Sequence, residues 1–509
     1  VLWAWAFALA LVVLCLPVFS PDVWWHLSAA RWMLAHGAVP RADAFTFTAF
    51  GKPWIDFEWG TQLAWYAVHA LGGLWGLWLL KIGLLVAAFW PVDGFLREKG
   101  ASGAARAGAL ALWLAAMLAQ ADLRADLISA CFFALLLRRL ENGRASFLFG
   151  FGLFALWANL HAGFVLGLGL YALAALTDRA DAGAEFTGAA LGSLLNPYGA
   201  GLYKVLFAHA SEPAVTRFVM EWRAPSEHNA FQAPLLVAIV LVVSLAWLAA
   251  RRSSKFLLGA ALGTALAAAL SARFGCYFAA AGAMFLFSSF PKPRAGLVAA
   301  LLAAATAMLV PLRGRLGAPP YDDKLVARRA SDFVAREQSV FSGLRAFNQY
   351  EWGGYLGWAL GPDGRVFGDG RYLFHAQLTE LQDALESPPA LAEMAARERL
   401  DAFLIRNSPE TMRTTRAYPD GTSRAFDRPW HLSFFPRERW ALVYWDDQAL
   451  IYVDRAKVPA DWMAAHEYRW LKPGDEAARL DALTRGEIPR AALDAESMRH
   501  AFEVPVRVR

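Results

Sequence analysis

The chain has 509 residues, 57% of them hydrophobic and only 18% charged, with a mean hydropathy of +0.33. Soluble domains carry about a quarter charged residues, so this balance excludes an ordinary soluble protein and points to a polytopic membrane protein. The net charge of +5 does not call for nucleic acid, and Cys15, Cys131 and Cys276 all fall in apolar runs that offer no disulfide framework or CxxC metal site.

Residues 1–320 carry nearly all the long apolar runs, whereas 321–509 reads like a soluble domain. The expected fold class is therefore mainly α: a polytopic transmembrane helical bundle followed by a soluble α/β domain. A spanning helix needs about 20 apolar residues, fewer when neighbours shield it. Spans are predicted near 1–20, 61–92, 104–121, 126–140, 146–160, 162–177, 186–197, 232–250, 256–271, 274–290 and 295–312, about eleven in all. The stretch 61–92 is long enough for an interfacial helix plus a span. The first run has neither a basic start nor a small-residue cleavage site, so it is expected to remain as a helix.

Short basic clusters fall in alternate loops: Arg97 and Lys99; Arg138, Arg139 and Arg144; Arg251, Arg252 and Lys255; Lys292 and Arg294. The rule that cytoplasmic loops are basic then places the N-terminus in the cytoplasm and residues 21–60 and 321–509 outside. Lys81 is the one clear mid-span charge, equally suited to helix packing and to function.

The first outer loop, 21–60, sets Asp22, His26, Asp43, Asp56 and Glu58 among many aromatics. Ser20-Pro21-Asp22 reads as a helix start with Ser20 as N-cap, and the helix is expected to stop at Gly37. Asp22 and His26, four apart, share a face of this interfacial helix. Carboxylates beside apolar walls gain basicity and can serve as general bases. Elsewhere, "WANLHAG" brings Asn159 and His161 to a helix end on the same side, and His161 with His26 and Asp22 could hold a metal. Arg124, Lys204, Arg217, Arg223 and Arg273 are cations near the outer interface, each read first as an ordinary interfacial anchor and together able to meet an anion. Arg273 and Arg124 rank first, although Asp122 and Asp126 could simply pair with Arg124.

In the soluble part, 344–348, 365–369, 401–406, 440–445 and 449–455 read as strands, the last two as a hairpin, with helices at 372–386 and 389–399 and a helical tail over 460–503. "GPDGRVFGDGR" lacks the phosphate-loop pattern, and Asp369 and Arg371 there are read mainly as stabilising the domain.

The stretch "PDVWWHLSAARWMLAHGAVPRADAFTFTAFGKPWIDFEW", together with "LWANLHAGFVLGL", "LLNPYG", "EWRAP", "NQYEWGGYLGWAL" and "VFGDGR", resembles bacterial membrane proteins related to the GT-C glycosyltransferases. The resemblance implies a transferase of the bacterial inner membrane that takes a sugar from a polyprenyl-phosphate-linked donor and passes it, with inversion, to a glycan, lipid or protein acceptor of the cell envelope. It implies Asp22 as catalytic base, and Asp43 as a second acid that orients the acceptor or holds a divalent cation with Asp22. His26, Glu58, Asn159, His161, Arg124 and Arg273 are the candidate substrate-binding residues. The cofactor stays open beyond a possible divalent cation, and the motifs name neither the sugar nor the acceptor. A transporter or flippase for a lipid-linked substrate, and a non-catalytic assembly protein with an outer binding domain, are the alternatives.

Overall fold

The computed structural model describes residues 1–143, 145–177, 182–210, 217–226, 228–311 and 320–504. Arg144, the end of the last expected span at 312 and parts of the 198–231 loop lie outside the described residues. The chain divides into two compact units, Val1–Arg41 with Pro53–Asp322, and Ala42–Lys52 with Asp323–Arg509.

The first unit is helical throughout. Its helices are α1 (Leu2–Leu14), α2 (Asp22–His36), α3 (Trp59–Glu98), α4 (Gly103–Met117), α5 (Asp126–Glu141), α6 (Phe147–Leu160) and α7 (Phe164–Leu176). They continue as α8 (Gly183–Ser193), α9 (Gly201–Ala210), α10 (Ala233–Ala250), α11 (Lys255–Leu270), α12 (Gly275–Ser289) and α13 (Ala295–Leu309). Each stretch expected to span contains a helix, over 2–14 only of 1–20 and up to 193 only of 186–197. By length and composition α3, α4 with its following turn and α10 can cross a membrane, and α1, α6, α7, α11 and α13 are shorter apolar helices.

Two local features explain how this unit packs. Helix α3 breaks at Gly73, whose φ of 56° and ψ of −146° leave the helical region at a residue without a Cβ. An amphipathic lead thus passes into a longer apolar helix. Helix α8 lies backbone to backbone on α6: a Cβ on Gly188 or Gly192 would come within 2.2 Å of the Phe147 or Phe151 carbonyl oxygen. Small residues four apart permit that approach, the usual device of helices packed in lipid. Lys81 is fully buried and donates to the Leu16 carbonyl just past the end of α1, where Trp78 Nε1 also donates at 3.1 Å. A cation satisfied at a helix C-terminus is a packing arrangement.

Contacts sort the connections into two ends. At one, Glu98 accepts from Arg138 and Asn142, Ser254 donates to Glu141 at 2.7 Å, and the Ser102 N–H donates to the Pro291 carbonyl at 2.8 Å. This end collects the basic loops. The other end joins the 15–22 linker, the start of α3 and the α4–α5, α6–α7 and α11–α12 corners.

The second unit is built on a four-stranded sheet ordered β1-β2-β6-β5, comprising β1 (Ala346–Asn348), β2 (Ala402–Arg406), β5 (Trp440–Trp445) and β6 (Ala449–Asp454). β1 and β2 are parallel, joined through α14 (Leu378–Glu386) and α15 (Pro388–Arg397), and β5–β6 is the expected antiparallel hairpin. β2 and β6 are buried almost throughout, so their residues read as continuous apolar runs. The helical tail comprises Ala460–His466, Glu476–Thr484 and Arg490–Glu503.

Three expectations are corrected here. Residues 365–369 form no strand; Val366 makes only an isolated bridge with Thr46. An exposed hairpin of β3 (Thr411–Ala417) and β4 (Ser423–Pro429) was not expected, because its residues are mostly polar and only Phe426 and Pro429 are buried. Residues 42–52 belong to this second unit and not to a single outer loop with 21–41 and 53–60. The reason is backbone pairing: Phe47 N–H donates to Val366 O and Val366 N–H to Phe45 O, each at 3.0 Å. The base of the excursion is pinched in the first unit, where Trp54 N–H donates to Arg41 O at 3.0 Å.

Candidate active site

At the end of the first unit away from the basic loops, α2 starts with Asp22 and stops at Gly37, whose φ of 61° suits glycine. The start is not capped as expected. The Ser20 hydroxyl is buried and meets no hydrogen-bond partner among the described residues, because Pro21 is already helical at φ −66°, ψ −20°. Asp22 instead faces the α4–α5 corner, where its Oδ2 accepts from Arg124 at 3.1 Å while Trp25 Nε1 donates to its Oδ1 at 3.2 Å. Arg124 also pairs with Glu221, and Glu221 Oε1 accepts from Arg273 at 2.8 Å. Carboxylates and guanidiniums thus alternate as Asp22, Arg124, Glu221, Arg273.

Asp22 and Glu221 are the ion-pair partners of Arg124, in place of the sequence neighbours Asp122 and Asp126. Asp122 serves the backbone instead. Its Oδ1 accepts from the N–H groups of Phe19 and Leu123, and burial pushes its carboxyl up to about 6. Glu221 was missed as a site residue. The only signal for it was the "EWRAP" stretch, which lies far along the chain from the first loop.

Behind this row lies a second group. Glu58, just before α3, is buried, and its two carboxyl oxygens face two histidines: Oε2 is 3.9 Å from His26 Nε2 and Oε1 is 3.7 Å from His161 Nε2. At those separations neither pair is a hydrogen bond. The His161 ring is fixed through Nδ1, which accepts the Gly163 N–H at 3.1 Å and meets the Ser129 hydroxyl at 2.7 Å. Since a backbone N–H can only donate, the neutral ring carries its proton on Nε2, toward Glu58. The His26 ring lies tilted against Trp25 with centroids 3.7 Å apart and edge-on to Trp65, and its buried Nδ1 has no hydrogen-bond partner among the described residues.

Burial sets the protonation of this group. Desolvation pushes the Glu58 carboxyl up to about 8; Asp56, Asp22 and Asp126 push the same way, and Arg273 opposes them. Desolvation, helped by Arg124, pushes His26 down to about 3. Burial with Arg273, His26 and Arg124 holds His161 well below the usual imidazole range. Near neutral pH the group is therefore one carboxylic acid facing two uncharged imidazoles.

Asn159 lies at the edge of the same region, its Oδ1 accepting from Trp59 Nε1 at 3.0 Å and its amide donating to Leu195 O at 2.6 Å. Asp56 is buried beside Glu58, where its Oδ1 accepts from Gln62 at 2.8 Å and from the Glu58 N–H. Lys204, Arg217 and Arg223 are exposed.

Asp43 sits in the second unit and is 2% exposed. Its Oδ1 is 2.7 Å from Arg371 Nη2, its Oδ2 accepts from the Thr46 hydroxyl at 2.5 Å, and Arg371 also binds Asp369 at 2.8 Å. The expected pairing of Asp43 with Asp22 around a cation is thus replaced by a buried Asp–Arg–Asp group. Among the described residues no three His, Cys, Asp or Glu side chains are grouped to hold a metal ion. Asp22 is itself committed to a guanidinium, so the donor set present does not fit a cation among Asp22, His26 and His161.

No protein-family model and no curated protein matches the sequence. Among solved structures, the chain is similar to the apo oligosaccharyltransferase of Archaeoglobus fulgidus. The TM-score is 0.53 at 12% identity, over 91% of this chain and 80% of the other. It also aligns with ArnT from Cupriavidus metallidurans, crystallised with undecaprenyl phosphate, at a TM-score of 0.48 and 14% identity over 88% and 97% of the two chains. At these identities the likeness speaks of fold. The chain shares the fold of that oligosaccharyltransferase, here a helical unit with a second unit built on a four-stranded sheet.

Proposed function

We propose that the chain is a membrane glycosyltransferase that moves a sugar from a polyprenyl-phosphate-linked donor to a cell-envelope acceptor, a glycan, lipid or protein, at the outer face of a bacterial inner membrane. The observation that carries this reading is the row Asp22–Arg124–Glu221–Arg273 at the end of the bundle away from the basic loops. Asp22 acts as general base and removes the acceptor's hydroxyl proton as the oxygen attacks the anomeric carbon from the face opposite the phosphate, which inverts the configuration. Arg124 and Arg273, already gathered on one carboxylate, exchange part of that contact for the phosphate and offset the charge it gains on leaving. His26, Glu58, Asn159 and His161 line the same region as substrate-binding groups. Asp43 takes no part, being enclosed with Arg371 and Asp369.

The topology proposed is about eleven spans with the N-terminus cytoplasmic and the second unit outside, supported by the gathering of the basic loops at one end. Reporter fusions after Arg252 and after Asp323 should report opposite compartments. The same compartment for both would overturn it. The chemistry is tested by supplying vesicles that contain the full-length protein with polyprenyl-phosphate-linked sugars. Transfer should be present in wild type and nearly absent in Asp22→Asn; full activity in the variant would reduce Asp22 to a partner of Arg124.

A further inference from the structure

Among the acids at this end of the bundle, Glu58 stands apart. Asp22 is held by Arg124 and Trp25, Glu221 by two guanidiniums, Asp122 by two backbone N–H groups, and Asp56 accepts from Gln62. The oxygens of Asp126 meet no hydrogen-bond donor among the described residues, but that residue is closed off at 2% exposure. The Glu58 carboxyl retains 11% exposure, has no hydrogen bond to a described residue, and is flanked by two imidazoles that stand just too far away to bond it.

We infer that Glu58 is a further catalytic residue: a carboxylic acid that gives its proton to the phosphate leaving the sugar, while Asp22 takes the proton of the acceptor. The inference rests on the glycosyltransferase reading and adds the acid to its base. The two carboxyl groups stand in opposite surroundings. Asp22 is paired with a guanidinium, whereas Glu58 lies beside two imidazoles and among other acids. Two titratable groups set in environments that differ in this way mark a base and an acid.

The geometry supplies the rest. His161 is fixed with its Nε2–H toward Glu58 Oε1, so that oxygen is the natural carbonyl of a protonated carboxyl. The hydroxyl then falls on Oε2, on the side of His26. Arg273, the cation that acts most strongly on Glu58, is one of the two guanidiniums assigned to the phosphate. The groups facing Glu58 are His26 and Asp22 from α2, His161 from the α6–α7 corner, Arg273 from the α11–α12 corner, Asp126 from α5 and Asp56 from its own loop.

The step balances. The acceptor O–H bond breaks and its proton passes to the Asp22 carboxylate, and the acceptor oxygen bonds to the anomeric carbon. The bond from that carbon to the phosphate oxygen breaks with its electron pair, and the Glu58 proton goes to the phosphate. Water then returns the proton from Asp22 to Glu58, leaving the glycoside and a singly protonated lipid phosphate.

The test uses the full-length protein in lipid nanodiscs, titrated between pH 7 and 9.5 with a polyprenyl monophosphate and, separately, with inorganic phosphate. Wild-type affinity for the polyprenyl monophosphate should fall roughly tenfold or more as Glu58 loses its proton and meets the phosphate as a second anion. Glu58→Gln keeps a neutral donor and should hold its affinity across that range; Glu58→Ala should bind weakly throughout. An unchanged pH dependence in Glu58→Gln would overturn the assignment, and equal binding of inorganic phosphate would overturn the lipid source. Infrared difference spectra of the unliganded protein give a second readout. A protonated-carboxyl band should persist at pH 7 and be missing in Glu58→Gln, and its absence in wild type would overturn the inference for any ligand. If the band is present but neither phosphate binds, the glycosyltransferase reading fails and the protonated Glu58 stands.

Discussion

Both units set arginine among acids, and they do it differently. In the second unit Arg371 lies between Asp43 and Asp369, and the remaining lone pairs meet the Thr46 hydroxyl and backbone N–H groups. In the first unit Arg124 and Arg273 share Glu221, yet Glu58 beside them is left without a hydrogen bond to a described residue. A closed ionic group fixes one conformation and has nothing left to offer a substrate. An incomplete one costs stability where it stands, which is the usual mark of a working site. The contrast separates three first-loop acids that look alike in sequence: Asp43 is enclosed in an ionic group, whereas Asp22 and Glu58 are the acids to which the proposed chemistry is assigned.

The strongest way to break the comparison is Asp22→Asn. Losing a general base should slow transfer by about 10²–10⁴-fold, while stability changes by about 1 kcal/mol because the Asp22–Arg124 pair is only half-buried. Transfer rates and thermal midpoints measured on the same preparation check this, and a large stability loss would move Asp22 to the structural class.

Arg371→Leu should do the reverse. It leaves two buried carboxylates without their cation, a change worth about 3–5 kcal/mol, so the second unit should unfold or be cleaved at milder conditions. Limited proteolysis reads this directly. A stable variant would show that the acids are protonated or hydrated and that the group is not closed.

The pH dependence of stability sharpens the contrast. The Glu58 carboxyl is at about 8 in the folded chain, whereas an unfolded glutamate is near 4.5. The folded state therefore keeps a proton that the unfolded chain releases. The Glu58 contribution to stability is full below about 4.5, falls as pH rises toward 8, and is flat above, opposite in sign to the contributions of His26 and His161 below 6.5. The loss is on the order of a few kcal/mol. Glu58→Gln should flatten that part of the curve in denaturation series between pH 5 and 8.5; an unchanged slope would assign it to another group.

The smallest expected effect concerns the excursion 42–52. A fragment covering 323–509 lacks Asp43, the Thr46–Val366 bridge and the Thr48 bond to Phe367 O. Supplying residues 42–52 as a peptide should raise its thermal midpoint by about 2–4 °C for each kcal/mol regained. No shift would mean the segment is only loosely attached.

The sequence by itself determined the helical membrane half, because hydropathy and chain length leave a lipid-embedded segment little choice but helix. It determined the stop of α2 at Gly37 and the β5–β6 hairpin, both local matters of turn chemistry and period. It also marked Asp22, Asp43, His26, Glu58, Asn159, His161, Arg124 and Arg273 as the residues to watch. Tertiary structure alone decided which of them meet. Glu58 faces both His26 and His161, the second far along the chain from it. Arg124 chose Asp22 and Glu221 over its own neighbours Asp122 and Asp126, and Asp43 left the first loop for Arg371. The β3–β4 hairpin escaped detection although "PDG" at 419–421 marks its turn, since its strands carry too few apolar residues to show a period. Local chemistry fixes what a segment becomes, but an ion pair depends on distance in space, and the sequence does not contain that distance until the helices pack.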